Sequence, residues 1–309
     1  MNESDRLAIP TLDTRSEIEA GCSWLREQLN TAGHDKVVVG LSGGIDSAVT
    51  ATWAARALGP ERVVLVSMPY GLLAPSTFAP STLDSVAHAR QVASLLAGAD
   101  YRELDIAPTV DIEAESTGLA ADLRRSPDEA GLRSALGNLK ARVRAVRLRY
   151  FANRMHALLL GTENRTEHYL GYFTIGGDEE SDLELLGNYL KAEVVQLARA
   201  LGVPSEVIDK APSADLWSGQ TDEGELGFTY GEADHVLHVT AGRTHLSADP
   251  SLGCITGVDT TMRVLQRVQD TAFKRAPKPI FPRGVDEDHA AGARPRHHAG
   301  LGNQASEEK

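Results

Sequence analysis

The chain has 309 residues, with 31 basic and 43 acidic side chains and a formal net charge of −12. This charge argues against broad binding to nucleic acid or to an anionic membrane surface, because both require a cationic footprint. A hydrophobic content of 42% with only two cysteines predicts a globular core without a disulfide scaffold. No apolar run approaches the roughly 20 residues that span a bilayer, and residues 1–10 do not resemble a signal peptide, so we expect a cytoplasmic protein.

In chain order, the predicted elements alternate between helices and short apolar strands. Helices are predicted at residues 16–33, 45–58, 82–97, 131–156 and 190–201, and strands at 37–41, 63–66, 101–106 and 157–160. Residues 110–130 are acidic and predict an irregular loop. Buried strands alternating with helices predict an α/β fold, with an open, mostly parallel sheet covered by helices on both faces.

Residues 1–283 are predicted to form a single domain, followed by a polar tail at 284–309. The tail loses apolar periodicity, which is typical of a disordered segment. Its histidines suggest metal binding as an alternative, although a solvated tail is the preferred interpretation; they are His289, His297 and His298.

A glycine-rich loop follows the first predicted strand and carries the strongest chemical signal. It reads Ser42-Gly43-Gly44-Ile45-Asp46-Ser47 and opens the second predicted helix. Glycines let backbone N–H groups turn inward, and the helix N-terminus adds positive potential, so the loop can bind phosphate. The Asp46 carboxylate would repel phosphate unless it bound a cation, and Mg²⁺ prefers oxygen ligands shared with phosphate. The loop therefore predicts a site for a magnesium-bound nucleotide phosphate.

A structural alternative for this loop is a tight strand-to-helix turn in which Asp46 interacts with the helix dipole. The complete Ser-Gly-Gly-x-Asp-Ser string between a strand and a helix favours phosphate binding instead. Neither a Walker loop nor a GxGxxG dinucleotide fingerprint is present in the sequence. The string resembles the pyrophosphatase loop of the N-type ATP pyrophosphatases, which cleave ATP between its α- and β-phosphates. The loop alone does not choose among the members of that superfamily.

Six further strings, taken together in order and spacing, resemble the ammonia-dependent NAD synthetase family. The resemblance extends from about residue 35 to residue 235 and implies an adenine nucleotide alpha hydrolase-like, Rossmann-like fold. The strings are Gly137–Arg142, Gly161–Glu167, Gly171–Thr174 with Gly177-Asp178, Leu190-Lys191, Lys210–Leu216 and Gln220–Glu223.

The resemblance implies a site for ATP and magnesium. Asp46 and Glu167 match the magnesium ligands of the family, and Lys191 matches a lysine that contacts the ATP phosphates. A cation at Lys191 would stabilise the charge that develops as pyrophosphate leaves. The implied ATP-binding residues are Gly40, Ser42, Gly43, Gly44, Asp46, Ser47, Thr162, Lys191 and Ser213.

The resemblance also implies contacts to deamido-NAD from Arg142, Asp182 and Lys274. For Arg142, a solvated helix face is the structural alternative. Two positions depart from the family, which usually has a lysine where this chain has Ile175 and a histidine where it has Phe273. Both of the usual residues face deamido-NAD, so the sequence supports ATP use and amidation better than it identifies the carboxylate.

The implied reaction is the ATP-dependent amidation of deamido-NAD by ammonia through an acyl-adenylate, with AMP and pyrophosphate as products. The resemblance implies Asp46 and Lys191 as catalytic residues. Asp178 is the candidate catalytic residue near the step in which ammonia loses a proton, and a structural hydrogen-bonding role is the alternative for it. About 35 residues precede the first strand, too few for a glutaminase domain, so free ammonia is the expected donor unless a separate chain supplies it. The family resemblance further implies a homodimer.

Three alternatives remain open at the level of sequence. The first is an amide synthetase for a different carboxylate, which Ile175 and Phe273 suggest. The second is a tRNA-modifying member of the superfamily, which the acidic charge and the scarcity of cysteine disfavour. The third is a non-catalytic nucleotide-binding protein, which would not need the magnesium pair of Asp46 and Glu167.

Overall fold

The computed structural model describes residues 9, 11–72, 76, 78, 83–213, 221–240 and 256–277. The predicted tail at 284–309, with its three histidines, lies outside the described residues. Among the described helices, none has both the length and the apolar character needed to cross a membrane.

Five parallel strands form one sheet in the order β3-β2-β1-β4-β5. At its centre, Val38 pairs with Val64 on one side and with Leu159 on the other. This arrangement confirms the α/β fold with a parallel sheet. The strands are β1 Lys36–Gly40, β2 Val63–Ser67, β3 Asp100–Glu103, β4 Ala157–Gly161 and β5 Leu183–Glu184.

The five predicted helices are confirmed, and eight further α-helices lie among the described residues. The first helix is followed by its C-cap, Gly33, which adopts the left-handed conformation typical of this position with φ +71°. The helices are α1 Thr14–Ala32, α2 Ile45–Leu58, α3 Leu83–Leu95, α4 Ala107–Ser116, α5 Leu119–Arg125, α6 Ala130–Met155, α7 Arg165–Leu170, α8 Lys191–Leu201, α9 Ser205–Ile208, α10 Asp222–Leu226, α11 Tyr230–Thr240, α12 Val258–Asp270 and α13 Ala272–Arg275.

Apolar residues on both faces of the sheet form two separate core clusters. On one face, Val37 and Val39 pack with residues of α1, α2, α3 and α8, including the fully buried Trp53. On the other face, Val38 and Leu159 pack with residues of α4, α5 and α6. Because successive side chains of a strand point to opposite faces, a continuous apolar strand supplies both cores at once.

The predicted loop at 110–130 is wrong, because most of this segment forms helices α4 and α5. Val110 and Ala114 are fully buried and lie four residues apart on one face of α4. The acidic side chains that suggested a loop are distributed around them, and Gly118 at φ +81° separates the two helices. The few apolar residues at helical spacing therefore indicated these helices, but the many charged residues around them made the pattern hard to recognise.

The order of the strands reverses between β1 and β4. In open parallel sheets, the helices that follow two such strands diverge to opposite faces and leave a crevice at the carboxyl ends of the strands. Here the crevice lies between the loop after β1 and the segment after β4, and it contains the predicted phosphate loop.

Candidate active site

The loop after β1 is shaped by hydrogen bonds between its own hydroxyl and backbone groups. The Ser47 hydroxyl donates to the Gly44 carbonyl oxygen at 2.9 Å, and the Ser42 and Ser47 hydroxyl oxygens lie 3.0 Å apart. Gly44 is the N-cap of α2, and no side chain caps that helix. The backbone N–H groups at the start of α2 are thus oriented to bind an anion, with the helix dipole adding positive potential.

Gly43 is required by both backbone conformation and space. Its φ is +85°, which favours glycine, and a Cβ atom built there would lie 1.9 Å from the Ser85 carbonyl oxygen. The loop therefore packs its backbone directly against the first turn of α3. This close contact explains the first glycine of the string.

The segment after β4 brings a second carboxylate to the loop. Asn164 is the N-cap of α7, and its side chain accepts a hydrogen bond from the Glu167 backbone N–H at 3.0 Å. The short helix points the Glu167 side chain towards α2. Asp46 and Glu167, which are 121 positions apart in sequence, meet at the ammonium group of Lys191, with Nζ–Oδ2 and Nζ–Oε1 distances of 2.5 and 2.9 Å.

Lys191 is held at the start of α8 by buried acceptors. Its backbone N–H donates to the Thr166 hydroxyl at 3.0 Å, and the next N–H, from Ala192, donates to the Asp234 carboxylate at 2.7 Å. Asp234 also accepts the Thr166 hydroxyl proton at 2.5 Å and is fully buried. Hydrogen bonds of Thr166, Lys191, Ala192 and Asp234 therefore connect helices α7, α8 and α11 at the start of α8.

Burial and neighbouring charge perturb the ionisable groups of this cluster. Burial raises the pKa of Glu167, and the nearby Asp46 carboxylate acts in the same direction while Lys191 opposes it. Burial would lower the pKa of Lys191, but the attraction of Asp46 and Glu167 outweighs it and keeps the ammonium charged. Two carboxylates thus share a single positive charge, as expected of a site built for a cation.

Two adjoining clefts open beside these groups. The larger has a volume of about 560 Å³ and passes over the carboxyl ends of β1, β2 and β4. The smaller has a volume of about 160 Å³ and is lined by the second half of the phosphate loop and by the carboxylate–lysine cluster. Predicted residues that line one or both clefts are Gly40, Ser42, Gly44, Asp46, Ser47, Thr162, Glu167, Asp178, Lys191, Ser213 and Lys274.

Asp178 and Lys274 lie on the same side of the larger cleft. Asp178 is exposed at the cleft wall, its carboxylate accepts the Thr174 backbone N–H at 3.0 Å, and the protein atoms packed around the carboxyl raise its pKa. The Lys274 ammonium donates to the carbonyl oxygens of Gly171 and Phe173 at 2.7 and 2.6 Å. These bonds attach α13 to the segment after α7.

Arg142 and Asp182 lie outside the residues that line the two clefts. Arg142 is exposed, and its Nε donates to the Ile175 carbonyl oxygen at 3.2 Å. Asp182 pairs with Arg149 at 2.7 Å and accepts the Leu159 backbone N–H at 2.8 Å. Their contact with deamido-NAD stays a prediction.

Several residues of the site were not predicted to be site residues from the sequence, although two of them, Lys210 and Asn164, lie within its motif strings. Arg144, Lys210 and Arg267 add positive charge to the lining of the larger cleft. Arg144 follows the Gly137–Arg142 string on α6 but lies outside it, and Arg267 lies on a helix without a motif, so only the fold places both at the cleft. Asn164 had a usable signal, because Asn-x-x-Glu after a strand is typical of a helix capping box.

Within the described residues, no cluster of three or more histidine, cysteine, aspartate or glutamate side chains is arranged to hold a metal ion. Two carboxylates do converge, those of Asp46 and Glu167, beside a loop suited to phosphate. Mg²⁺ is commonly held by one or two carboxylates, with phosphate oxygens and water completing its coordination. The oxygen donors present therefore fit a magnesium ion that arrives with a nucleotide.

Comparison with known proteins identifies the family. The model of the NAD synthase family matches residues 17–278, which include every element of the crevice. This chain belongs to the NAD synthase family. It is therefore a ligase that forms a C–N bond.

The relatives of this NAD synthase family member include curated proteins and solved structures. The NH(3)-dependent NAD(+) synthetase of Methanosarcina acetivorans is 39% identical over 260 residues, covering 83% of this chain and 94% of the relative. That of Thermococcus kodakarensis is 41% identical over 226 residues, covering 73% and 81%.

Solved structures agree with the fold. The NMN synthetase of Francisella tularensis superposes with a TM-score of 0.71 at 28% identity, covering 88% of this chain and all of that one. The NH3-dependent NAD synthetase of Campylobacter jejuni, in complex with the nitrate ion, gives a TM-score of 0.62 at 26% identity over the same shares.

Proposed function

We propose that this chain catalyses the ATP-dependent amidation of deamido-NAD with ammonia, forming NAD, AMP and pyrophosphate. The observation that carries the proposal is the convergence of Asp46, Glu167 and Lys191 at the phosphate loop of an NAD synthase family member. The curated relatives that cover most of this chain are named as NH(3)-dependent NAD(+) synthetases. They support both the product and the nitrogen donor.

The first step needs a good leaving group rather than a nucleophilic side chain. The substrate carboxylate attacks the α-phosphate of ATP, the bond to the β-phosphate breaks, and an acyl-adenylate and pyrophosphate form. The backbone N–H groups at the start of α2 bind the departing phosphates, and Lys191 stabilises the charge that develops on them. Asp46 and Glu167 would hold Mg²⁺, which when bound neutralises phosphate charge and aligns the leaving group.

In the second step, ammonia attacks the acyl carbonyl, and AMP leaves as the amide forms. The attacking nitrogen must lose a proton, and Asp178 on the wall of both clefts is our candidate for accepting it. The raised pKa of its carboxyl makes it a better base at neutral pH than an ordinary aspartate. Thr162, which follows β4 at the cleft, is the candidate contact for adenosine.

The acceptor carboxylate distinguishes this reaction from those of other amide synthetases. Ile175 is 41% exposed and Phe273 is 69% exposed, so both departures from the family pattern are open to solvent. One of the similar solved structures is an NMN synthetase, whereas the curated relatives are NAD synthetases. The proposal therefore competes with an amide synthetase for a smaller nicotinate-containing carboxylate.

The test supplies ATP, Mg²⁺ and ammonium together with one carboxylate at a time. Deamido-NAD, its mononucleotide equivalent and nicotinic acid are compared by amide formation and by ATP–pyrophosphate exchange. We expect exchange and NAD formation with deamido-NAD, both lost in Asp46→Asn. A higher kcat/KM for the mononucleotide, or exchange that is independent of deamido-NAD, would overturn the proposed acceptor.

We further propose that the enzyme is a cytoplasmic homodimer that uses the exposed side of α6. Val146 and Tyr150 of that helix are 70% and 55% exposed, which supports an interface there. The net charge of −12 supports the view that neither nucleic acid nor a membrane is a partner. Sedimentation analysis of the wild type against Val146→Asp tests the dimer.

A further inference from the structure

Asn164 contacts both carboxylates of the cluster and is itself fully buried. Its side-chain Nδ2 donates to Asp46 Oδ1 at 2.9 Å, across the crevice between β1 and β4. Its side-chain Oδ1 accepts the Glu167 backbone N–H at 3.0 Å. Its backbone N–H donates to Glu167 Oε2 at 3.4 Å. One residue therefore makes three polar contacts to the two candidate magnesium ligands.

The hydrogen bonds determine the orientation of the Asn164 amide. An N–H group can bond only to the carbonyl oxygen of the amide, so the Glu167 N–H fixes which side of Asn164 carries Oδ1. The NH₂ group must then point at Asp46, whose carboxylate can only accept. Neither interaction would survive a rotation of the amide by 180°.

The consequence concerns the remaining oxygens of the two carboxylates. Asn164 occupies Asp46 Oδ1 and Glu167 Oε2, which are the outer oxygens of the pair. The inner oxygens, Asp46 Oδ2 and Glu167 Oε1, both lie within hydrogen-bonding distance of the Lys191 ammonium. The Lys191 ammonium is therefore shared by both carboxylates, while their other oxygens accept hydrogen bonds from Asn164.

We propose that Asn164 is a positioning residue that aims the Asp46 and Glu167 carboxylates at one common cation position. The proposal rests on the proposed function, in which the magnesium ion bound with ATP shares these two carboxylates with the Lys191 ammonium. Asn164 is fully buried, and its hydrogen bonds to Asp46 and Glu167 give it a role that acts through these two residues. Groups behind metal ligands that fix their orientation typically change metal affinity by about 10- to 100-fold when they are removed.

The test separates this role from helix capping. Asn164→Ser keeps an effective N-cap for α7 but is too short to reach Asp46, whereas Asn164→Ala loses both functions. Asp13→Ala, which removes the N-cap of α1 far from the crevice, controls for the cost of losing a cap. Mn²⁺ binding to each protein, with a non-hydrolysable ATP analogue present, is measured by electron paramagnetic resonance, and melting temperatures are recorded in parallel.

We expect the Kd for Mn²⁺ to rise by about tenfold or more in Asn164→Ser and Asn164→Ala, and to be unchanged in Asp13→Ala. The Mg²⁺ concentration that gives half-maximal activity should rise by a similar factor. A folded Asn164→Ser protein with the wild-type Kd overturns the positioning role. Failure of the proposed function looks different, because wild-type protein would then form no NAD.

A measurement on the wild type covers the case in which the serine variant does not fold. In protein labelled with ¹⁵N-asparagine, the Nδ2 protons of Asn164 should be protected from solvent exchange without metal. With the ATP analogue present, they should also shift on Mg²⁺ addition. Rapid exchange of these protons, or the absence of a shift at saturating Mg²⁺, overturns the proposal.

Discussion

The contact between Gly43 and α3 gives a sharp test of how closely the phosphate loop is positioned. In Gly43→Ala the new methyl group would lie 1.9 Å from the Ser85 carbonyl oxygen, whereas real Cβ contacts stay above 3.0 Å. The loop or α3 must therefore move by at least 1.1 Å, the difference between these distances. A displacement of about 1 Å at reacting groups costs about 10²-fold in rate. We expect kcat/KM for ATP to fall by about that factor.

A second substitution isolates the backbone contribution. Gly33 has φ +71° and no atom within 4 Å of a built Cβ, so Gly33→Ala adds the cost of positive φ without a clash. That cost is about 1–2 kcal/mol for either position. Both variants should lose a few degrees in melting temperature, and only Gly43→Ala should lose activity in a pyrophosphate-release assay. Equal kinetics in the two variants would refute the argument that this contact positions the loop.

Two further predictions concern the cluster beneath the loop. Lys191→Met leaves Asp46 and Glu167 without their shared cation, so we expect a loss of about 3–5 kcal/mol in unfolding free energy without magnesium. Its kcat should fall by about 10²- to 10³-fold, and an unchanged kcat would contradict the role of Lys191. Burial raises the pKa of Asp234 to about 6, so stability contributed by its protonated form is present below pH ~4 and lost as pH rises through ~6. Relative to the wild type, the unfolding free energy of Asp234→Asn should rise by about 3 kcal/mol between pH ~4 and pH ~6, and parallel profiles would refute this assignment.

Local sequence predicted most of the secondary structure because the determining interactions are local. The apolar run at Val37–Val39 has the composition of a strand buried on both faces, and it is one. Gly33 and Gly202 end helices because glycine adopts the left-handed conformation without strain. The segment at 110–130 failed because its buried face is narrow and its charge is high, so only packing against α6 makes the helices evident.

In the candidate site too, the parts formed by adjacent residues could be predicted and the parts formed by distant residues could not. The phosphate loop could be predicted because a strand, glycines and a helix start are adjacent in sequence, and all of its chemistry is local. Asp46, Glu167 and Lys191 were placed together only by resemblance to a family, since no local rule connects residues that far apart. The structure adds the reason for their meeting, which is the reversal of strand order between β1 and β4.

By itself, the sequence determined an acidic α/β protein with a phosphate loop, through hydrophobic periodicity and glycine placement. Tertiary structure decided which arginines of α6 face the clefts. Arg142 is exposed, whereas Arg144, two residues later on the same helix, lines the larger cleft. Residues two apart on a helix point in directions about 200° apart, so only the packing of α6 against the sheet could decide which one reaches the site.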